Sequence, residues 1–127
     1  MDLIMYCHRR WPNLTSLMTV YYGEDFIVDF GSPEGALHAI FYGTPDEKWA
    51  PLSKDELSAV LRELAEFMEF AREYLRKHPE KKEDDVVGEL GCAYYTDAAG
   101  FTPLQWLEYL RNRIREHLEK MQKQDAS

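Results

Sequence analysis

The stretch 52–78, LSKDELSAVLRELAEFMEFAREYLRKH, constrains the fold more than any other part of the chain. It opens with a complete helix-start signal. Ser53 is placed to cap the first free amides, Glu56 three residues later closes a capping box, and Leu52 is placed to staple onto Leu57. Leu57, Val60, Leu61, Leu64, Phe67, Met68, Ala71, Tyr74 and Leu75 then recur at three- and four-residue spacing, one continuous apolar face of an α-helix. Pro79 ends it, because its ring pushes His78 out of the helical region and it has no amide to donate. A second helix is predicted over 103–123, with Thr102 as cap, Pro103 at the first position and Gln105 closing the box. Its stripe is Leu104, Leu107, Leu110, Ile114, Leu118 and Met121. Two striped helices need apolar surface to cover them.

The first third of the chain is expected to supply a sheet. Residues 14–22 (LTSLMTVYY) are rich in β-branched and aromatic side chains and run into a Gly23-Glu24-Asp25 turn. Residues 26–30 read as a second strand, closed by Gly31-Ser32-Pro33-Glu34-Gly35. Residues 36–42 (ALHAIFY) read as a third, stopped at Gly43-Thr44-Pro45. Short connections make such neighbours antiparallel, so 14–42 is expected to be a three-stranded meander. Residues 1–7 are a further short candidate. Residues 89–96 (ELGCAYYT) are a candidate fourth strand, weakened by Gly91. The resulting expectation is one α+β domain over residues 1–127: a small antiparallel sheet mainly within 3–42, a central helix over 53–78, a connection over 79–101, and the C-terminal helix.

Charge narrows the function. The formal net charge is −8, which argues against a nucleic-acid binder, since affinity for phosphate comes from clustered Lys and Arg. Residues 1–50 carry seven acids against three bases and 79–101 six against two, while 102–127 carry four against five. Such a field steers a basic partner, and also serves solubility alone. No apolar run reaches ~18 residues, so no membrane span is expected. The basic residues of the N-terminus follow its apolar patch, the reverse of a secretion signal. With Cys7 and Cys92 as the only cysteines, the expectation is a cytoplasmic protein with free thiols.

Catalytic and metal patterns are sparse. Zinc and iron sites are usually marked by paired ligands at short spacing, and none is present around Cys7, His8, Asp29, His38 or Cys92, so no metal or cofactor is expected. Asp25 and Asp29, four apart on an expected strand, would lie ~13 Å apart, too far for a coupled dyad. There is no nucleophile elbow and no glycine pattern that cradles phosphate. Residues 111–117, RNRIREH, resemble the arginine–polar–spacer–histidine motif of HEPN ribonucleases, a resemblance that implies action of Arg111 and His117 on a scissile phosphate. It covers seven residues, and Arg72 and His78 repeat the spacing. HEPN domains are helical bundles, whereas a sheet is expected here. His117 also sits at the edge of the apolar stripe, where a histidine usually packs.

Aromatic residues make up 13% of the chain, and several flank the helix stripes instead of continuing them. Trp106, Tyr109 and Arg113 lie three and four residues apart beside the second stripe, and Phe70 lies off the first. Tyr94 and Tyr95 would point to opposite sides of a strand. Trp, Tyr and Arg are the residue types that anchor desolvated interfaces, although these side chains serve equally to extend a core. The function these observations favour is a small, acidic, non-enzymatic binding module. It would act by occluding a protein partner's surface, in the style of immunity proteins and phage-encoded inhibitors, with Phe70, Tyr94, Tyr95, Trp106, Tyr109 and Arg113 as the candidate surface. The rival is a small enzyme or ligand sensor with a pocket between the sheet and the 79–101 connection, lined by Tyr94, Tyr95, Cys92 and His38. Homodimerisation through exposed helix flanks is compatible with either.

Overall fold

The structure, a computed structural model, describes residues 2–94 and 96–126. Among these there is no strand, and the expected α+β architecture with its three-stranded sheet is overturned. The chain runs through α1 (Leu3–Arg10), α2 (Pro12–Tyr21), α3 (Phe26–Phe30), α4 (Pro33–Tyr42), α5 (Lys54–Lys77), α6 (Glu83–Val87) and α7 (Pro103–Ala126), with 3₁₀ turns at Gly88–Leu90 and Thr96–Ala99. Each expected strand is replaced by a helix or by a turn. Residues 14–22 lie mostly in α2, which buries Leu14, Thr15, Leu17, Met18 and Tyr21. That set has helical spacing, and it outweighed the β-branched composition. Residues 26–30 form the single turn of α3, so Asp25 and Asp29 lie one helical turn apart and not along a strand. Residues 36–42 belong to α4, where Ser32 accepts from the Gly35 amide at 2.9 Å and Pro33 takes the first position. This is the same start grammar that marks α7, overlooked because the glycines beside it read as loop. Residues 1–7 fall mainly in α1, capped by Asp2 and ending in Arg9 and Arg10, whose charges suit a helix C-terminus. Of residues 89–96, Glu89 and Leu90 complete the first 3₁₀ turn, Gly91 turns the chain and Thr96 opens the second.

The two long helices form where the sequence places them. In α5 both halves of the Ser53–Glu56 capping box are made, at 3.1 and 3.0 Å, and His78 is the C-cap before Pro79. In front of α7, Thr102 and Gln105 exchange the equivalent pair at 2.9 and 3.2 Å. Leu57, Val60, Leu64, Phe67, Met68 and Ala71 of α5 and Leu107, Leu110, Ile114 and Leu118 of α7 are buried. Burying each such Leu contributes roughly 1.5–3 kcal/mol relative to exposure, so this seam is a principal source of stability.

α5 and α7 pack on one another, and α2 lies against α5. What covers the helix stripes is more helix, not sheet. A buried carboxylate fixes the α2–α5 contact. Glu63 of α5, 4% exposed, accepts from the Asn13 and Leu14 amides at 2.9 and 3.1 Å and from Asn13 Nδ2 at 2.6 Å. These amides belong to the first turn of α2, where helix donors have no partner of their own. Trp11 offers no side-chain cap there, so α5 supplies one across the core. None of the described helices is long and apolar enough to cross a membrane.

Candidate functional site

α4 and α7 run side by side in the same sense and meet through long side chains. At the start of α4, Glu34 projects from the first turn. Tyr109 and Arg113, one turn apart on α7, both reach it: Tyr109 Oη donates to Glu34 Oε1 at 2.6 Å, and Arg113 Nη1 donates to Oε1 and Oε2 at 2.8 and 3.1 Å. Arg113 also donates to the Tyr109 hydroxyl. The Tyr109 hydrogen bond, joined by Arg113 and opposed by partial burial, holds the Glu34 carboxyl below the usual carboxylate range. Burial and the neighbouring carboxylate raise the Tyr109 phenol. Farther along, His117 of α7 stacks on Phe41 of α4, centroids 4.2 Å apart and planes 14° apart, and meets the edge of Tyr42 at 5.3 Å.

The Glu34–Tyr109–Arg113 clamp separates two depressions on this face. On one side is a groove of about 380 Å³, its apolar walls including Leu37, Tyr94, Phe101 and Leu110. Trp106 lies beneath it, 3% exposed, edge-on to Tyr22 at 4.8 Å and to Tyr94 at 5.2 Å. On the other side is a cleft of about 350 Å³ lined by His38, Tyr42, Glu116, His117 and Lys120 as well as Arg113. Burial, with help from Lys120, lowers the His117 pKa, so this ring is held neutral at pH 7.

Three of the sequence-derived candidates share one face, Tyr94 and Tyr109 half-buried in its surface and Arg113 in the clamp, whereas Trp106, expected beside the stripe as contact surface, is part of the buried core beneath them. Phe70 lies elsewhere, on α5, in an aromatic cluster with Tyr6, Trp11, Phe67 and Tyr74. Tyr95 is outside the described residues. The pocket imagined for a ligand sensor is not assembled. Cys92 and Tyr94 line a common cleft, but His38 lines the different one beside Arg113. The counter-charge of the clamp, Glu34, was missed. Its signal was present in Ser32-Pro33-Glu34, a helix start with an acid in the first turn. In the segment that resembles the HEPN motif, Arg111 pairs with Glu108 at 3.8 Å while His117 is stacked on Phe41. Cys7 and Cys92 are both free, and burial pushes each thiol up to about 11. They carry no charge at neutral pH and are poor nucleophiles.

A family model described as CdiI immunity protein matches residues 10–114, which include the α4–α7 clamp and most of the helical core. No curated protein and no solved structure matches the chain. The chain belongs to the CdiI immunity protein family, and is an inhibitor-type module whose partner is a protein, the toxin.

Proposed function

We propose that the chain neutralises its toxin by docking it on the α4–α7 face, with Tyr94, Tyr109 and Arg113 at the contact and Trp106 supporting them from below. The supporting observation is the clamp itself. Tyr109 and Arg113 are held by Glu34 in fixed positions beside an open apolar groove, so a partner that binds there meets side chains already ordered. Phe70 drops out of this surface because it is engaged with the aromatic cluster of α1 and α5. Occlusion of the toxin's working surface is the mode of action we infer, and the net charge of −8 favours a toxin with a basic docking surface. We place the protein in the cytoplasm, where free thiols such as Cys7 and Cys92 persist.

Binding to the cognate toxin domain tests the assignment. Arg113→Ala with Tyr109→Ala is expected to weaken it by about tenfold or more, as truncation of interface anchors does. Tyr109→Phe, which keeps the ring and loses the hydrogen bond to Glu34, is expected to fall between that variant and wild type. Equal affinity of all three for the toxin would remove this face from consideration. Homodimerisation is a separate proposal, for which the best surface is the exposed pair Ile27 and Val28 on α3, 53% and 85% exposed. Sedimentation of wild type against Val28→Glu tests it: a concentration-dependent mass in wild type that the variant loses supports it, and a monomer at all concentrations sinks it.

A further inference from the structure

Tyr42 closes α4 and is 59% exposed, more than any other aromatic ring among the described residues. Exposure by itself would need no explanation. This ring, however, is held in place. Its centroid lies 4.9 Å from the His38 ring on its own helix and 5.3 Å from His117 of α7, which meets it at 87°. His117 in turn is stacked on the buried Phe41, so one support of Tyr42 is itself tied to the core. Tyr42 also belongs to the α4–α7 face, because Glu34 and Arg113 of the clamp line the same cleft as Tyr42, His38 and His117. Glu34 and Tyr42 stand about two helical turns, or ~12 Å, apart on α4. A stable protein–protein contact covers about 800 Å² on each partner, a patch roughly 30 Å across, so a toxin centred on the clamp reaches Tyr42.

We propose that Tyr42 is a second anchor for the toxin and takes an uncharged, apolar side chain of it, with His38 and His117 fixing the ring. This rests on the reading that the toxin docks on the α4–α7 face, and extends that face to the far end of α4. The chemistry of the cleft decides the kind of side chain. Its fixed charges are two acids, Glu34 and Glu116, and two bases, Arg113 and Lys120, so together they offer a partner no net charge. Glu34 and Arg113 are moreover committed to one another. Burial keeps the His117 ring neutral at pH 7. What remains to be gained here is the removal of an aromatic surface from water, together with the apolar surface that covers it. Tyrosine suits this role because it has few rotamers to lose, and the two imidazoles have already restricted them. It is also among the residue types in which binding energy concentrates.

The experiment measures affinity of the full chain for the cognate toxin domain at low and high salt, with a melting temperature for each variant. Tyr42→Ala is expected to weaken binding by about tenfold, and by the same factor at about 50 and about 500 mM salt, since contact between apolar groups is not screened. Tyr42→Phe keeps the ring and is expected to stay within about threefold of wild type. Ile4→Ala, at an exposed apolar position on α1, is the control and is expected to stay within about twofold. Tyr42→Gln, which keeps a longer stem against the histidines, decides the matter if Tyr42→Ala melts early. Weakening by Arg113→Ala with Tyr109→Ala but not by the Tyr42 variants would overturn the second anchor and leave the docking face standing. No effect of either set would sink the face and the anchor together. A loss at Tyr42 that shrinks with salt would mean a cation over the ring, and would overturn the apolar side chain. Unchanged toxin affinity, with a concentration-dependent mass that Tyr42→Ala abolishes, would give the surface to a second copy of the chain instead.

Discussion

Glu63 shows how much one side chain can contribute when it is buried and fully used. Its carboxylate receives two backbone amides and one side-chain amide from the start of α2. Glu63→Ala leaves those donors without their acceptor, one of them the buried Leu14 amide, and is expected to cost about 2–3 kcal/mol in chemical denaturation. Glu63→Gln keeps one oxygen acceptor and is expected to lose less. His117 sets a second residue-scale expectation. Its pKa lies below the ordinary 6.5 because burial against Phe41 disfavours the charged ring, and Lys120 adds to this. The unfolded chain therefore takes up the proton first, and stability falls as pH drops through 6.5 toward the lower folded value. Glu34, Glu116, Lys120, Arg113, His38 and Tyr42 line the same cleft. Glu34, whose pKa is lowered, contributes stability above the ordinary carboxylate value that is lost only at more acid pH, so the two windows separate. A melting-temperature profile that His117→Phe flattens between pH 7 and 5.5 would support the assignment; an unchanged profile would count against it.

At the scale of elements, glycines on either side of the site give opposite expectations. Gly43 ends α4 at φ 74°, and a Cβ there would come within 2.8 Å of the Trp49 carbonyl oxygen. Gly43→Ala is expected to destabilise by more than about 1 kcal/mol, whereas Gly88→Ala, at φ −59° with open space around it, is expected to stabilise by about 0.4–1 kcal/mol. Paired thermal melts read both signs. The elements also show what was legible in the sequence. α5 and α7 could be read from their boxes and stripes because a long amphipathic period averages over many residues. α2, α3 and α4 are ten residues or fewer, and in α2 and α4 nearly every second or third residue is apolar, so composition spoke louder than spacing. Ser32-Pro33 and Trp11-Pro12 were the better guides, since proline at a first helical position is a start signal as well as a break. The clamp was half legible. Tyr109 and Arg113 share a helix face by their spacing, but Glu34, 75 residues away from Tyr109, joins them only through tertiary packing.

For the whole molecule, one contiguous apolar cluster draws on both long helices and on α1, α2, α3, α4 and α6. Leu64, 0% exposed near the middle of α5, tests that arrangement: Leu64→Ala is expected to cost about 2–5 kcal/mol, and a loss under about 1 kcal/mol would mean the site is not core. The short helices pack around the long pair and leave the α4–α7 face open beside it. The trans-cap on α2 has a consequence for how this molecule opens. In an ordinary first turn the amide protons face water and exchange with solvent deuterium quickly. At Asn13 and Leu14 they are lodged on a side chain from another helix, so they are released only when α2 and α5 separate. Their exchange rates should match those of the deepest amides of α5, and the two helices should come apart as one cooperative unit.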